Sequence, residues 1–287
     1  MIFVSIITPV YNRSQMIKAC IDSVRVQDYK NWEHIIVDDG STDDLDLVLK
    51  NYKEDNRIKY FKKNNTGAAD SRNFGAKHAT GAWIIFLDSD DFVKVSWLNI
   101  FLNESVEDVS VITCGYERVN ENLELIEKRN YLNGNELQRS FGVFLSGTYL
   151  IRKELFLKIG GFDKSLKSGH HTELLFRLIQ DSDLNTKLVF KNLLSEAIII
   201  VNHHGLKIRS SWYAKLHGSY DILKKHFNFL STSDYNLLIG YYTVIARASY
   251  ELKKRQLAIH FGIESIKLKP LSIKNWIRLL RYLLNRW

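Results

Sequence analysis

The chain has 287 residues, 45% hydrophobic and 25% charged, with two prolines and two cysteines. That length buries a sizeable core in one large domain or a domain with an appendage, and the composition excludes disordered, collagen-like and disulfide-framed classes. The net charge of +8 is unevenly placed, because residues 1–204 hold 25 Lys and Arg against 28 Asp and Glu, and residues 205–287 hold 15 against 4. No apolar run approaches the ~20 residues of a spanning helix. The opening Met1-Ile2-Phe3-Val4 has no basic leader, so the sequence predicts a cytoplasmic protein in which Cys20 and Cys114 are buried free thiols.

In chain order, residues 4–10 read as a first buried strand stopped by Pro9. Asn12 or Ser14 is placed to cap a helix with apolar positions Ile17, Cys20, Ile21 and Val24. A second strand at 33–37 ends in Asp38-Asp39-Gly40-Ser41-Thr42-Asp43, whose turn and capping residues precede a helix at about 44–54. A short strand at 58–61 and a helix opening at 66–73 follow, the helix ending near Gly81. Residues 83–87 are then five apolar residues leading into Asp88-Ser89-Asp90-Asp91. This alternation predicts an α/β fold with a mostly parallel sheet, right-handed crossovers and flanking helices.

Two acidic clusters, at 38–39 and at 88–91, therefore end buried strands at the carboxyl edge of one sheet, where open α/β folds bind ligands. Clustered carboxylates repel unless a cation joins them, and oxygen-rich sets suit Mg or Mn with a bound phosphate. The plain alternative is a solvated turn with acids capping the next helix.

The motifs Thr8-Pro9-Val10-Tyr11-Asn12, Val37-Asp38-Asp39-Gly40-Ser41-Thr42-Asp43, Gly67 with Arg72-Asn73-Phe74-Gly75, and Phe86-Leu87-Asp88-Ser89-Asp90-Asp91 resemble glycosyltransferase family 2 in order and spacing. The resemblance is close over about 3–95, resumes at Ser146-Gly147-Thr148 and Ile159-Gly160-Gly161-Phe162-Asp163, and runs loosely to about 212. It implies a GT-A (Rossmann-like) fold, a nucleotide-sugar donor, a divalent metal (Mn or Mg) and transfer with inversion. On that basis 1–215 is a catalytic domain, with a donor half at about 1–95 and an acceptor half at 96–215, and 216–287 is a basic helical region.

By the same resemblance Pro9, Tyr11 and Asp39 contact the nucleotide base, Asp39 accepting from a ring N–H and Tyr11 stacking. Tyr11 packed on the helix behind it is the structural alternative. Arg72 approaches the donor as a fixed cation, against an ion pair with Asp70 or Asp43. Asp88 and Asp90 form the Asp-x-Asp pair, one on the ribose or a metal-bound water, with Asp90 or Asp91 ligating the metal. In Asn202-His203-His204-Gly205, after an apolar strand at 197–201, His204 is a further metal candidate. A zinc site built from the His pairs is disfavoured, since adjacent histidines rarely share one tetrahedral ion.

The segment 96–145 holds a strand at 109–116 and a polar excursion at 117–139 of hairpin or helix character, and 146–152 returns as a strand. The catalytic base is the point of departure. Where the family carries paired acids, this chain has Gly169-His170-His171-Thr172-Glu173-Leu174. His171 and Glu173 are equal candidates for taking the acceptor proton, His170 follows them, and Glu173 as a helix first-turn carboxylate is the alternative.

Beyond about 215 helical periods take over, at about 234–254 and 256–268, and the last helix repeats Ile273, Trp276, Ile277, Leu280, Leu284 and Trp287 with Lys274, Arg278, Arg281 and Asn285 on another face. It reads either as a membrane-surface helix or as a helix packed by its apolar side with a solvated basic edge. Nucleic acid fits poorly, because the basic residues are not interleaved with aromatics along a groove.

The functional expectation is a metal-dependent glycosyltransferase using a UDP-sugar first among donors and a glycan or lipid-linked glycan hydroxyl as acceptor, in the cytoplasm or peripheral on the inner face of the plasma membrane. The alternative is a catalytically silent nucleotide-sugar-binding or scaffold protein. Nucleotidyl transfer is disfavoured, since 8–13 contains no glycine to cradle a triphosphate.

Overall fold

The computed structural model describes residues 2–103, 107–133, 136–181, 188–201, 211–233 and 235–284. The chain falls into two compact units, one of Met1–Lys164 with Arg177–His203, the other of Ser165–Phe176 with His204–Trp287.

The first unit is built on one mixed sheet, and its first half follows the apolar pattern directly. Strands β1 (Val4–Val10), β2 (Trp32–Asp38) and β4 (Trp83–Phe86) are buried along their whole length, as strands covered on both faces must be. With β3 (Ile58–Lys62) they pair in parallel in the order β3-β2-β1-β4. Helices α1 (Ile17–Arg25), α2 (Leu45–Lys50) and α3 (Ala68–His78) make the crossovers. Pro9 does not end β1, because the strand carries through it to Val10 in register with Asp38.

Beyond β4 the sheet turns mixed. β8 (Tyr149–Arg152) is antiparallel to both β4 and β6 (Val111–Val119), and β6 runs parallel to β9 (Phe190–Val201). β5 (Phe92–Val93) pairs antiparallel with β9, completing the order β3-β2-β1-β4-β8-β6-β9-β5. The polar excursion is a hairpin, with β7 (Leu125–Arg129) antiparallel to β6, followed by the short helix α5 (Glu136–Phe141). Helix α4 (Trp97–Leu102) and Trp32, Trp83, Ile85, Leu98 and Ile112 fill one core cluster. Val10, Ile17, Ile21, Ile36, Leu45 and Leu49 fill another, under α1 and α2. α3 lies close on β1 because Gly75 has no side chain, and a Cβ there would stand 2.5 Å from Ile7 Cγ2. Helix α6 (Lys153–Lys158) follows β8.

The second unit is helical. It takes the first residues of α7 (His170–Gln180) together with α8 (Trp212–Lys225), α9 (Phe227–Ser233), α10 (Tyr235–Glu251), α11 (Arg255–Leu268) and α12 (Ile273–Leu284). Ser211 caps α8, its hydroxyl accepting from the Ala214 amide at 3.3 Å. α10 packs against α8 and α11, and α12 against α11. Ile222, Leu238, Ile245, Ala258 and Phe261 are buried in this unit. Among the described residues no helix is long and apolar enough to cross a membrane.

Candidate functional site

The carboxyl ends of β1, β2 and β4 carry the loops that the sequence singles out, and hydrogen bonds stitch those loops together. The Asp39 amide donates to Val10 O at 2.8 Å. Asn12 sits at a φ of 49°, a left-handed conformation that asparagine tolerates. Its side chain accepts from the Thr42 amide at 2.8 Å, its own amide donates to Ser41 Oγ at 3.0 Å, and the Ser14 amide donates to Asp43 Oδ2 at 2.8 Å.

The two adjacent acids at the end of β2, Asp38 within it and Asp39 just beyond, do different work. Asp38 is fully buried and engaged in structure, accepting from the Ser41 amide at 2.7 Å and from the Tyr60 hydroxyl at 2.9 Å. Asp39 instead faces the start of α3. Its Oδ1 accepts from the Thr66 amide at 3.0 Å and its Oδ2 from the Gly67 amide at 2.8 Å. Gly67 offers that amide from a φ of 98°, which a side chain would strain. Lys63 Nζ reaches Asp39 Oδ1 at 2.5 Å and also bonds Thr66 Oγ1. A carboxylate has about four acceptor positions, so Asp39 keeps capacity on Oδ2 for one more donor.

At the end of β4, Asp88, Asp90 and Asp91 bring ligand oxygens within 4.8 Å of one another, Asp91 buried and the other two half-buried. Two arginines stand against the cluster. Arg13, in the loop after β1, pairs with Asp90 at 2.7 Å, and Arg72, in the first turns of α3, pairs with Asp88 at 2.6 Å. Arg72 is 7% exposed and its Nε has no hydrogen-bond partner among the described residues. Its cation therefore goes to Asp88, not to Asp70 or Asp43; Asp70 pairs with Lys164 at 3.1 Å. Three acids this close favour a cation by Coulomb attraction, and oxygen-only ligands fit a hard divalent ion. Tyr11 is 47% exposed at the rim, while Pro9 is buried within β1.

A second arrangement supports Arg72 from behind. Asn73 Nδ2 donates to Phe162 O at 2.8 Å, and the Phe162 amide donates to Asn73 Oδ1 at 2.8 Å. Arg177 adds bonds to Ile159 O at 2.6 Å and Gly161 O at 2.5 Å. The Phe162 ring so held lies 5.8 Å from the Arg72 guanidinium and packs on Phe86 at 4.9 Å between centroids. Sequence reasoning missed Arg13, Lys63, Asn73 and Arg177. Asn73 stands inside the motif at 72–75, without a role assigned to it, and Arg13 follows the motif at 8–12, which is the one local signal; Lys63 and Arg177 carried none.

Beneath the loops, Thr8 Oγ1 and His34 Nε2 lie 2.9 Å apart, both fully buried. Burial holds the His34 imidazole neutral, its pKa lowered to about 3. Cys20 is buried beside Thr8, and burial, reinforced by the charges of Asp91, Asp88 and Asp90, pushes its thiol well up. It is an unreactive thiol, as its apolar setting predicts.

The base candidates belong to the second unit. Glu173 is fully buried on α7; Lys225 bonds its Oε1, and His226 Nε2 stands 3.4 Å from the same oxygen. The Phe176 ring packs against His226 at 5.4 Å and Phe229 at 5.3 Å between centroids, enclosing the group. His170 Nε2 lies 3.0 Å from Leu166 O, and His171 is half-buried in the first turn. His204, Asn285 and Trp287 lie outside the described residues.

Residues 5–161 match the family model for Glycosyl transferase family 2. The chain belongs to that family. An uncharacterized glycosyltransferase of Rickettsia felis is 42% identical over 135 residues, which are 46% of this chain and 22% of that protein, so the chain spans about a fifth of that relative's length. Among solved structures, TarS 1–349 of S. aureus in complex with UDP-GlcNAc aligns with a TM-score of 0.62 at 18% identity, covering 99% of this chain and 93% of the other. The mannosyltransferase PcManGT of Pyrobaculum calidifontis, in complex with GDP-Man and Mn2+, aligns with a TM-score of 0.57 at 16% identity, covering 98% and 84%. At such identities the likeness concerns the fold, which is the GT-A fold of family 2 with C-terminal helices added.

Proposed function

We propose that the chain transfers a sugar from a nucleotide diphosphosugar to a hydroxyl of a glycan or lipid-linked glycan precursor, with inversion at the anomeric carbon. One observation carries the reading: a family 2 sheet ends β4 in three carboxylates whose oxygens lie within 4.8 Å of one another, flanked by Arg13 and Arg72. Asp90 and Asp91 would hold a divalent ion, Mn or Mg, whose charge would stabilise a diphosphate leaving group. Asp88 is assigned to the ribose or a metal-bound water, and Arg72 to the diphosphate. The remaining acceptor capacity of Asp39 suits the ring N–H of a uracil or guanine base, and the exposed Tyr11 ring offers a stacking face beside Pro9. A UDP-sugar is the donor of first choice, as in the TarS complex.

His171 or Glu173 is proposed to take the acceptor proton, imidazole and carboxylate both being competent bases, with Glu173 bonded by Lys225. His170 is the next candidate. A lipid-linked acceptor would bring the basic C-terminal region to the inner face of the plasma membrane.

The test is nucleoside diphosphate release from UDP-, GDP- and dTDP-sugars with Mn or Mg. Turnover of one donor is expected, abolished by chelator and lowered about 100-fold in Asp91→Asn. No turnover and no binding of any donor would overturn the proposal. The histidines at 170 and 171, where the family carries acids, favour a second reading, a catalytically silent donor-binding protein; calorimetry would then record donor binding without turnover.

A further inference from the structure

Helix α12 has a chemistry that sugar transfer does not use. It carries Lys274, Arg278 and Arg281 and no acidic residue. Its buried side chains are Asn275, Leu279 and Tyr282. Leu279 seats where Gly262 of α11 leaves room, since a Cβ at 262 would meet its Cδ1 at 3.1 Å. The Tyr282 ring lies 5.0 Å from that of Tyr250, and Arg255 Nη2 donates to Leu283 O at 2.6 Å. These contacts set the roll of the helix about its own axis.

With about 100° between successive residues, the side opposite those three consists of Ile273, Ile277, Leu280 and Leu284. They are 74%, 58%, 52% and 62% exposed, Trp276 beside them is 47% exposed, and Leu271 in the preceding turn is 93% exposed. The outward face of a packed helix is ordinarily its polar face. Here it is the apolar one, with Lys274 and Arg281 exposed along one edge.

A contiguous apolar face of this kind marks a contact surface. Charge selects the occupant. The segment 205–287 holds 15 Lys and Arg against 4 Asp and Glu, so a second copy would set like charge against like charge, whereas an anionic surface is complementary. A tryptophan at the margin of the face suits the boundary between headgroups and acyl chains. We propose that α12 lies in the plane of a bilayer containing anionic lipids, its Ile273–Leu284 apolar side among the acyl chains and Lys274 and Arg281 at headgroup level. This deepens the membrane placement that goes with the transfer reading, and since vesicle binding needs no donor, either can fail alone.

The experiment is cosedimentation of the full chain with vesicles of phosphatidylcholine alone and of phosphatidylcholine with 30 mol% phosphatidylserine. Binding to the mixed vesicles is expected, at least tenfold tighter than to the neutral ones. Ile277→Ser with Leu280→Ser should lower that affinity at least tenfold through lost apolar burial. Lys274→Glu with Arg281→Glu should lower it about tenfold for mixed vesicles and leave neutral vesicles unchanged. Unchanged melting temperature and circular dichroism check that the variants are folded, and all four side chains are exposed. No binding to mixed vesicles, or equal binding by wild type and the Ser pair, overturns the proposal. So does a wild-type dimer in light scattering that the Ser pair turns into a monomer, because the face then belongs to a second copy.

Discussion

His34 offers a sharp test of how this sheet carries its loops. The imidazole is fully buried on β2, one nitrogen 2.9 Å from Thr8 Oγ1 and the other, Nδ1, without a hydrogen-bond partner among the described residues. Protonation would place a charge on that unpartnered nitrogen, so burial lowers the pKa from 6.5 to about 3. The unfolded chain titrates near 6.5, and between the two values it binds a proton that the native state does not. Stability is therefore complete above about pH 6.5 and is lost as pH falls through the window below it. At pH 5.0 the group stands about 1.5 pH units below its unfolded value, and at ~1.4 kcal/mol per unit the loss is about 2 kcal/mol. In urea that is a midpoint shift of about 1 M. The assay is urea unfolding followed by tryptophan fluorescence at pH 7.5 and 5.0, for wild type and His34→Gln. Glutamine keeps a polar group for Thr8 and does not titrate, and the other titrating groups cancel in the comparison. Wild type should lose about 1 M more than the variant between the two pH values. Equal losses would refute the reasoning. Since Thr8 lies on β1 three residues before Tyr11, the same titration would disturb the donor side from below.

Three further outcomes follow from single contacts. Asn73→Ala removes both bonds to Phe162 and leaves a buried amide and carbonyl without them, so it should cost about 2–4 kcal/mol and raise the donor KM through Arg72, read by thermal melting and donor titration together. Gly75→Ala drives a Cβ against Ile7 Cγ2 at 2.5 Å, and overpacking between α3 and β1 should cost about 1–3 kcal/mol in chemical denaturation. Glu173→Gln tests structure against catalysis: loss of the charge facing Lys225, itself 39% exposed, should lower the melting temperature by an amount worth about 1–2 kcal/mol. A lost kcat with an unchanged melting temperature would instead make Glu173 the base.

Much of the donor side is legible in the residues themselves, and the reason is local. A strand covered on both faces is mainly apolar, so 4–10, 33–37 and 83–87 read as strands in the sequence despite buried polar residues such as Ser5, Thr8 and His34, and the acids just beyond the last two mark the sheet edge. Asp88, Asp90 and Asp91 are within four positions of one another, so their convergence needs no long-range information. The base motif is less legible. The spacing of His171 and Glu173 allows either to face outward, and the difference arises from Lys225 and His226, some fifty residues on.

The amino-acid sequence alone determined the β-α alternation with its mostly parallel sheet, the acid-bearing edge, the family and the basic character of the C-terminal part. The tertiary structure alone decided which carboxylate holds the turn of its own loop and which holds the start of α3. Asp38 and Asp39 are neighbours with the same side chain, and only Ser41 and Tyr60 on one side and Thr66 and Gly67 on the other tell them apart. It also decided that Asn73 reaches the Phe162 turn across 89 positions, that 165–176 joins the C-terminal helices, and that α12 is rolled with its apolar side outward. A period of about 3.6 residues says that a helix has two faces, but which face is covered depends on the neighbour that arrives, here Gly262 and Tyr250.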